Sequence, residues 1–469
     1  MSVPRLAVPV DDGASQRFMV NFKPASSSHL QQYSQLYTQR LSKLRGMLFT
    51  QCKARWPNVR TVEKIIDCEY REEEEAVEQE KGVEGNQESS KMEVSGPEEC
   101  IIIGTVYKEM RLRPSVLDEF KEQNGIVSGI VLPLLKYTSE EDVLLLEDES
   151  GRILLEGDMS GWRNRLVTGV VGAFRGRANS QGAFQVVDLL FAGSGLENPR
   201  QSALSSSSSI AGSVLLVSGL KIGAAADPLP LQMLADFIGG RLGGSGDVNT
   251  ASQIVRVIVA GNSISTAEVT RKRYASSSSL VSGEKEKREG GSLSSSSSTS
   301  LRQLDAFLSD VLSSCPVDLL PGASDPATLA LPQQPLHSCL LPNAFRFSTF
   351  RAVTNPYEIE VAGRLLLGTS GQPVEDIVRQ AANFQTNGEG DALEALAATL
   401  QWAHLAPTAP GSLYPTFLLP FTAFIRVLLL MFTDTLASVP IAADDPFIIE
   451  NLPDIYFAGN QVRTVFIIR

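Results

Sequence analysis

The stretch PVDLLPGASDPATLALPQQPLHSCLLP, Pro316 to Pro342, decides how the rest of the chain is read. An apolar run ends in a glycine turn, an aspartate follows, and a histidine lies further on. Asp325 and His337 are residue types with which a hydrolase does acid-base or metal chemistry. A single loop does not complete such a site, so the other strand ends must supply the remaining groups or the reading fails.

The chain has 469 residues, enough for two or three domains at roughly 100 to 200 residues each. With 43% hydrophobic and 20% charged residues it has the composition of a folded protein, interrupted by serine runs that read as disordered inserts. A formal net charge of -12 repels phosphate backbones unless the basic residues are segregated, so little direct DNA contact is expected. Five cysteines, Cys52, Cys68, Cys100, Cys315 and Cys339, are odd in number and never form CxxC. They suggest neither a disulfide framework nor a zinc site, which fits a reducing compartment. The start, MSVPRLAVPVDDG, lacks the basic region and apolar core of a signal peptide.

Residues 1–99 read as an N-terminal helix followed by an acidic segment. From His29 to Leu48 the apolar residues Leu30, Tyr33, Leu36, Tyr37, Leu41, Leu44 and Leu48 recur at helical spacing, which predicts an amphipathic helix lying on another element. Arg71 to Gly96 is acidic without apolar periodicity, hence a solvated loop.

Residues 100–200 hold short apolar runs separated by turn signals: CIIIGTVYKEM, DVLLLEDESGRILLEGD, LVTGVVGAFRG and GAFQVVDLLFAG. Four or five strands so close together predict a small β-barrel of the oligonucleotide-binding type. Single-strand binding would need exposed aromatic and basic side chains. Phe174, Arg175, Arg177 and Phe184 are the candidates, but both phenylalanines also fit core positions, so a structural barrel is expected.

Residues 201–469 alternate strand and helix after the linker-like Ser202–Ser213. SVLLVSGL is read as a buried strand, PLQMLADFIGGRLG as a helix, QIVRVIVAGN as a second buried strand, SLRQLDAFLSDVLSS as a helix and PVDLLPG as a third strand. This rhythm predicts layered sheets flanked by helices, with function at the strand-end loops. A Ser-rich surface insert is expected over 275–300. A second insert, apolar, spans about 416–443. It includes PTFLLPFTAFIRVLLLMF, close to membrane-span length, but Pro420 and Arg426 inside it argue against a span.

Glycine-rich pieces carry no nucleotide signature. IGGRLGGSGD (Ile238 to Asp247) lacks GK[ST] and follows a helix, so it reads as a flexible loop, and GTSGQ (Gly368 to Gln372) as an ordinary strand-to-helix turn. No GxSxG elbow is present. A two-metal phosphoesterase is the sharper test, because two neighbouring cations need carboxylates and imidazoles from several strand ends. VSGLKIG puts Gly219 and Lys221 where Asp and His would stand. AGNSIS gives Asn262 and Ser265 for two aspartates, PGASDP gives Ala323 and Ser324 for Asn and His and leaves Asp325, and FAGNQV gives Asn460 and Val462 for two histidines. These groups cannot hold two divalent cations, so no metal or other cofactor is expected.

The phrases LLVSGL, VIVAGN, PVDLLPGASDPATLALPQQPLH, TNPYEIEV, LLGTSGQPVEDI, HLAPTAP and DIYFAGN together resemble the B-subunits of replicative DNA polymerases, specifically the small subunit of eukaryotic DNA polymerase delta. The resemblance implies an N-terminal helix, an oligonucleotide-binding-type barrel and an inactive calcineurin-like phosphoesterase domain. It also implies a nuclear scaffold without catalytic or metal-binding residues, joining the metal-bearing C-terminal domain of the catalytic subunit to a third accessory subunit in replication and repair synthesis. The chain departs from the family in the apolar insert and in the short tail QVRTVFIIR, which points to retained or skipped coding segments or a divergent isoform. Two alternatives stand beside this: a residual metal-dependent phosphoesterase or nuclease around Asp325, His337 and His404, and a single-strand binder acting through the barrel. Under the leading reading Asp325 caps or braces the turn before Pro326 and His337 packs or hydrogen-bonds beneath it.

Overall fold

The computed structural model describes residues 4–20, 33–68, 99–113, 136–196, 212–223, 228–265, 292–381, 391–410, 444–461 and 465–468. The apolar insert 416–443 and the serines of 276–291 lie outside these residues. Among the described residues no helix is long and apolar enough to cross a membrane.

Short strand β1 (Val10–Asp11) precedes helix α1 (Tyr33–Arg55). The predicted helix is there and runs beyond Leu48 to Arg55. Its Leu41, Leu44, Leu48 and Cys52 recur at three- and four-residue spacing and pack on Ile101, Ile103, Val171, Ala173 and Leu190, so the helix is held by the barrel beneath it.

The barrel comprises β2 (Arg60–Val62), β3 (Cys100–Glu109), β4 (Val143–Glu147), β5 (Arg152–Gly157), short helix α2 (Ser160–Arg163), β6 (Val171–Ala178) and β7 (Ala183–Phe191). Strands pair in the order β3-β4-β5-β7-β6 and β6 returns to β3, closing five strands and leaving β2 outside, alongside β3. Only β5 and β7 are parallel within the closed ring, a connectivity of the oligonucleotide-binding type. The β4–β5 turn is set by Asp148, whose carboxylate accepts N–H bonds from Ser150 (2.7 Å) and Gly151 (3.0 Å). Phe174 and Phe184 are fully buried, as the structural reading of the barrel expects.

The remaining chain begins with β8 (Ser213–Val217), α3 (Leu229–Ile238), α4 (Ser245–Gln253), β9 (Ile254–Ala260), α5 (Ser292–Leu312), β10 (Val317–Leu320) and β11 (Phe350–Ala352). Strands β8 to β11 form one parallel sheet in the order β11-β10-β9-β8. β12 (Tyr357–Val361), β13 (Arg364–Thr369), α6 (Gln372–Gln380), α7 (Asp391–Gln401), β14 (Ile455–Ala458) and β15 (Val465–Ile468) follow. The second sheet runs β1-β12-β13-β14-β15. Tail residues 465–468 thus add an edge strand, antiparallel to β14.

The two sheets meet through Ile258, Ala260 and Leu320 against Tyr357, Ile359, Leu366 and Phe457. Helices α3 and α5 cover the outer face of the first sheet at Val257, Val259, Val317 and Leu319. Helices α6 and α7 cover Leu367 and Tyr456 of the second and share that core with the barrel. The result is helix, sheet, sheet, helix. Strand β9 is buried along its whole length, which explains why IVRVIVA is apolar at all but one position. Its one charge, Arg256, is matched by Asp318 at 2.5 Å, which also accepts from the Tyr357 hydroxyl at 3.0 Å.

Three local expectations change. β8 is half-buried because it lies at the sheet edge. Ile238 to Asp247 is only partly a loop: the Gly244 N–H bonds to the Asp247 carboxylate (2.9 Å) and α4 opens at Ser245. The end of the Ser-rich insert, residues 292–300, is the first part of α5; its register carries Leu304, Leu308 and Val311 into the core, and burial there outweighs the weak helix preference of serine.

The barrel is seated on the second region at points that tolerate little change. Gly169, at φ +93°, would place a β-carbon 1.9 Å from the Pro407 carbonyl oxygen. Lys108 is buried, donates to the Gln380 carbonyl at 3.0 Å and faces Asp142 at 3.6 Å. Arg40 of α1 reaches through to Asp445 at 2.7 Å and donates to the carbonyls of Pro407 (2.8 Å) and Ala409 (2.6 Å).

Candidate functional site

The strand-end loops gather at one end of the two sheets. After β8, the Gly219 N–H donates to the Gly261 carbonyl (3.0 Å), and Lys221 N–H to the Asn262 carbonyl (3.1 Å). After β9, the Asn262 side-chain oxygen accepts from the Ser324 N–H (3.0 Å) and hydroxyl (3.2 Å). Ser265 donates its N–H to the Ile222 carbonyl at 2.9 Å. After β14, the Asn460 amide donates to the carbonyls of Ala260 (3.0 Å) and Ser370 (2.8 Å), and its N–H to the Ser218 hydroxyl at 3.0 Å. Val462 lies outside the described residues.

Asp325 is the one acid among these positions, and it is 5% exposed. One carboxylate oxygen accepts from the N–H groups of Ser263 (2.8 Å) and Ile264 (3.0 Å), the other from Gly322 (2.8 Å). Burial pushes its carboxyl above the usual carboxylate range, and the N–H bonds from Gly322, Ile264 and Ser263 pull the other way. The expected brace is therefore there, and it ties the β9 loop to the β10 loop as well as holding its own turn. Ala323 offers no ligand, and the one Ser324 hydroxyl proton is shared between the Ile264 carbonyl at 2.6 Å and the more distant Asn262 oxygen.

A second layer of amides was not assigned a role from the sequence. The two N–H groups of the Asn355 amide are shared among the side-chain oxygens of Gln333 (2.8 Å), Ser370 (2.6 Å) and Gln372 (2.7 Å), and its Oδ1 accepts from the Ser370 N–H at 2.9 Å. Gln372 also donates to Gln333 at 2.9 Å. The phrases LPQQPLH, TNPYEIEV and GTSGQ carry these residues, which meet only when β11, β13 and the β10 loop converge. GTSGQ is the expected strand-to-helix turn, with Gly371 at φ +104°.

Three non-glycine residues of these strand-end loops have left-handed backbone: Lys221 (φ 48°), Asn262 (φ 53°) and Asn460 (φ 57°). Such conformations are uncommon and concentrate where a loop must present its groups in a fixed direction. Here those directions serve bonds from one loop to another. Two buried oxygens, Ser263 Oγ and Asn460 Oδ1, have no hydrogen-bond partner among the described residues.

The histidines sit elsewhere. His337 is exposed and accepts the Cys339 N–H at 3.2 Å, so it does not pack beneath the Asp325 turn as expected; its ring closes a local turn of its own. His404 is buried, its Nε2 3.0 Å from Asp445 and its Nδ1 accepting the Ala406 N–H at 3.2 Å. With Nδ1 an acceptor, the proton is on Nε2. Burial, and then the Arg40 charge, push the His404 imidazole down to about 4. Burial alone would raise Asp445, but the Arg40 charge and then His404 hold it well below the usual carboxylate range. Asp325, His337 and His404 thus have separate partners, and the described residues contain no group of three metal-ligating side chains.

On the barrel, Arg175 and Arg177 share Glu99 at 3.9 and 3.0 Å, and Arg175 also lies over the Trp56 ring. Neither phenylalanine is available for stacking.

Residues 214–466 match the family model for the B-subunit of DNA polymerase alpha/epsilon, and residues 32–189 match the DNA polymerase delta subunit OB-fold domain. A DNA polymerase delta small subunit of Oryza sativa subsp. japonica is 38% identical over 77% of this chain and 73% of its own length. That of Arabidopsis thaliana is 35% identical over 92% and 81%. DNA polymerase delta subunit 2 of Drosophila melanogaster is 32% identical over 94% and 85%. With loops built from the phrases that suggested it, and with both regions matched, the chain belongs to the family of DNA polymerase delta small subunits.

Proposed function

We propose that the chain is a non-catalytic scaffold subunit of a nuclear DNA polymerase delta, working in replication and repair synthesis. In this reading it joins the metal-bearing C-terminal domain of the catalytic subunit to a third accessory subunit. Its larger region is a calcineurin-like phosphoesterase framework that has lost its chemistry. One observation carries the proposal: the loops that would present ligands to two metal ions are hydrogen-bonded to one another. Asp325, the remaining acid, has both oxygens committed to backbone N–H groups. Lys221, Asn262 and Asn460 have left-handed backbone in these loops, and their side chains offer amides and an ammonium in place of imidazoles and carboxylates. A dinuclear site needs anionic ligands to offset its charge; these groups do not provide them. The family match supports a role in DNA replication within a polymerase assembly.

Two measurements test the proposal. The full chain, co-expressed with the catalytic subunit, is expected to co-purify with it, and deletion of that subunit's C-terminal metal-binding domain is expected to abolish recovery. Purified chain with Mn²⁺ is expected to leave a phosphodiester substrate intact. Hydrolysis that disappears in Asp325→Ala would overturn the non-catalytic reading, and failure to co-purify would overturn the scaffold reading.

A further inference from the structure

The five cysteines look unrelated in sequence, but the fold brings two together. Cys68 ends the single helical turn 65–68 that follows β2, and Cys100 is the first residue of β3, which β2 flanks. Their sulfurs lie 3.4 Å apart. Between them in the chain runs the acidic stretch that includes REEEEAVEQEKGVEGNQESSKMEVSG. The others have no such arrangement: Cys52 and Cys315 are buried in other cores, and Cys339 is exposed beside His337.

We propose that Cys68 and Cys100 are an oxidative modification site, a dithiol that closes to an intrachain disulfide and pins both ends of the acidic segment to the barrel. Disulfide formation is limited by geometry, since the two sulfurs must approach to bonding distance; at 3.4 Å these two are already side by side. The order of steps follows from exposure. Cys68 is partly buried and Cys100 is 9% exposed, so Cys68 meets an external oxidant first and Cys100 resolves it.

With glutathione disulfide as oxidant, the Cys68 thiolate attacks one glutathione sulfur. A Cys68–glutathione bond forms, the glutathione S–S bond breaks, and one glutathione thiolate leaves. The Cys100 thiolate then attacks the Cys68 sulfur and expels the second glutathione thiolate. Two cysteine thiols are oxidised and one glutathione disulfide is reduced to two glutathiones; the two thiol protons pass to solvent or to the leaving thiolates. In a reducing compartment excess glutathione runs the sequence backwards, so the site is reversible.

The test uses the full chain, folded and in urea, incubated with glutathione disulfide and quenched by alkylation. Peptide mass mapping without reduction is expected to find a Cys68–Cys100 crosslink that forms about tenfold faster in the folded chain than in the unfolded one, because the fold raises the local concentration of one thiol at the other. Cys100→Ser is expected to stop at a glutathione adduct on Cys68, while exposed Cys339 takes up glutathione without a crosslink in every case. Absence of the crosslink in folded chain whose Cys339 has reacted would overturn the proposal. So would formation no faster than in urea, or a crosslink from Cys68 to any other cysteine.

Discussion

Replacing Arg40 with methionine separates two contributions to the core around His404. The side chain is fully buried, pairs with Asp445 at 2.7 Å and donates to two carbonyls. Methionine fills similar volume but leaves Asp445 as a buried carboxylate without its cation and leaves the Pro407 and Ala409 carbonyls without these donors. Breaking a buried pair from one side costs about 3 to 5 kcal/mol. The loss depends on pH. In the native chain His404 is held down to about 4, against about 6.5 when unfolded. The folded state therefore binds fewer protons between these values, and stability falls as pH drops through that window. From about pH 7.5 to about pH 5.5 the native chain is expected to lose roughly 1.3 kcal/mol through this group. In Arg40→Met the cation that opposed protonation is gone, and an imidazolium at His404 becomes the available partner for Asp445. Burial still opposes the charged imidazole, but without Arg40 its affinity for a proton rises toward the unfolded value, so that loss shrinks and the difference between variant and native chain narrows by up to the same roughly 1.3 kcal/mol. Urea unfolding of both proteins at the two pH values measures this. Adding Asp445→Asn to the variant is expected to remove the narrowing. A stability difference that stays constant between the two pH values would refute a contribution of Arg40, beside burial, to holding His404 neutral.

Asp325→Ala is expected to destabilise by about 3 kcal/mol, because three buried N–H groups lose their acceptor; an unfolding midpoint within error of the native one would show that the loops do not need the brace. Asn460→Ala is expected to cost about 2 kcal/mol and Asn460→Gly about 1 kcal/mol less, since only glycine accepts φ 57° without steric cost; equal losses would remove the backbone argument. Gly169→Ala forces a β-carbon onto the Pro407 carbonyl and is expected to cost about 3 kcal/mol or more, seen as faster proteolysis between barrel and sheets. Lys108, which burial pushes down to about 8 against the pull of Asp142, sets a second pH window on the alkaline side. The folded chain holds that proton less tightly than the unfolded one, so this group's contribution to stability improves as pH rises from about 8 to about 10. Lys108→Met is expected to lose that slope in urea titrations.

Composition and local spacing were enough to set the alternation of elements and the chemistry missing from the strand ends. Both are local: a run such as IVRVIVA is buried by its own composition, and Gly219, Ala323 or Asn460 cannot become a carboxylate or an imidazole in any fold. Even so, serines 292–300 read as an insert and became helix, because burial of Leu304 and Leu308 further along decides for the whole turn-by-turn register. What the polar groups of these loops do was settled by packing. Asp325 spans two loops, Asn355, Gln333 and Gln372 form one amide cluster, and His404 is held by Arg40 from α1 and Asp445 from beyond residue 443, all through contacts between residues far apart in the chain. Spacing along a sequence constrains such contacts only within a helix or strand; across loops their partners are set by how sheets and barrel pack. The two sulfurs of Cys68 and Cys100 make the same point, for the residues between them separate the cysteines in the sequence and β2 beside β3 brings them into contact.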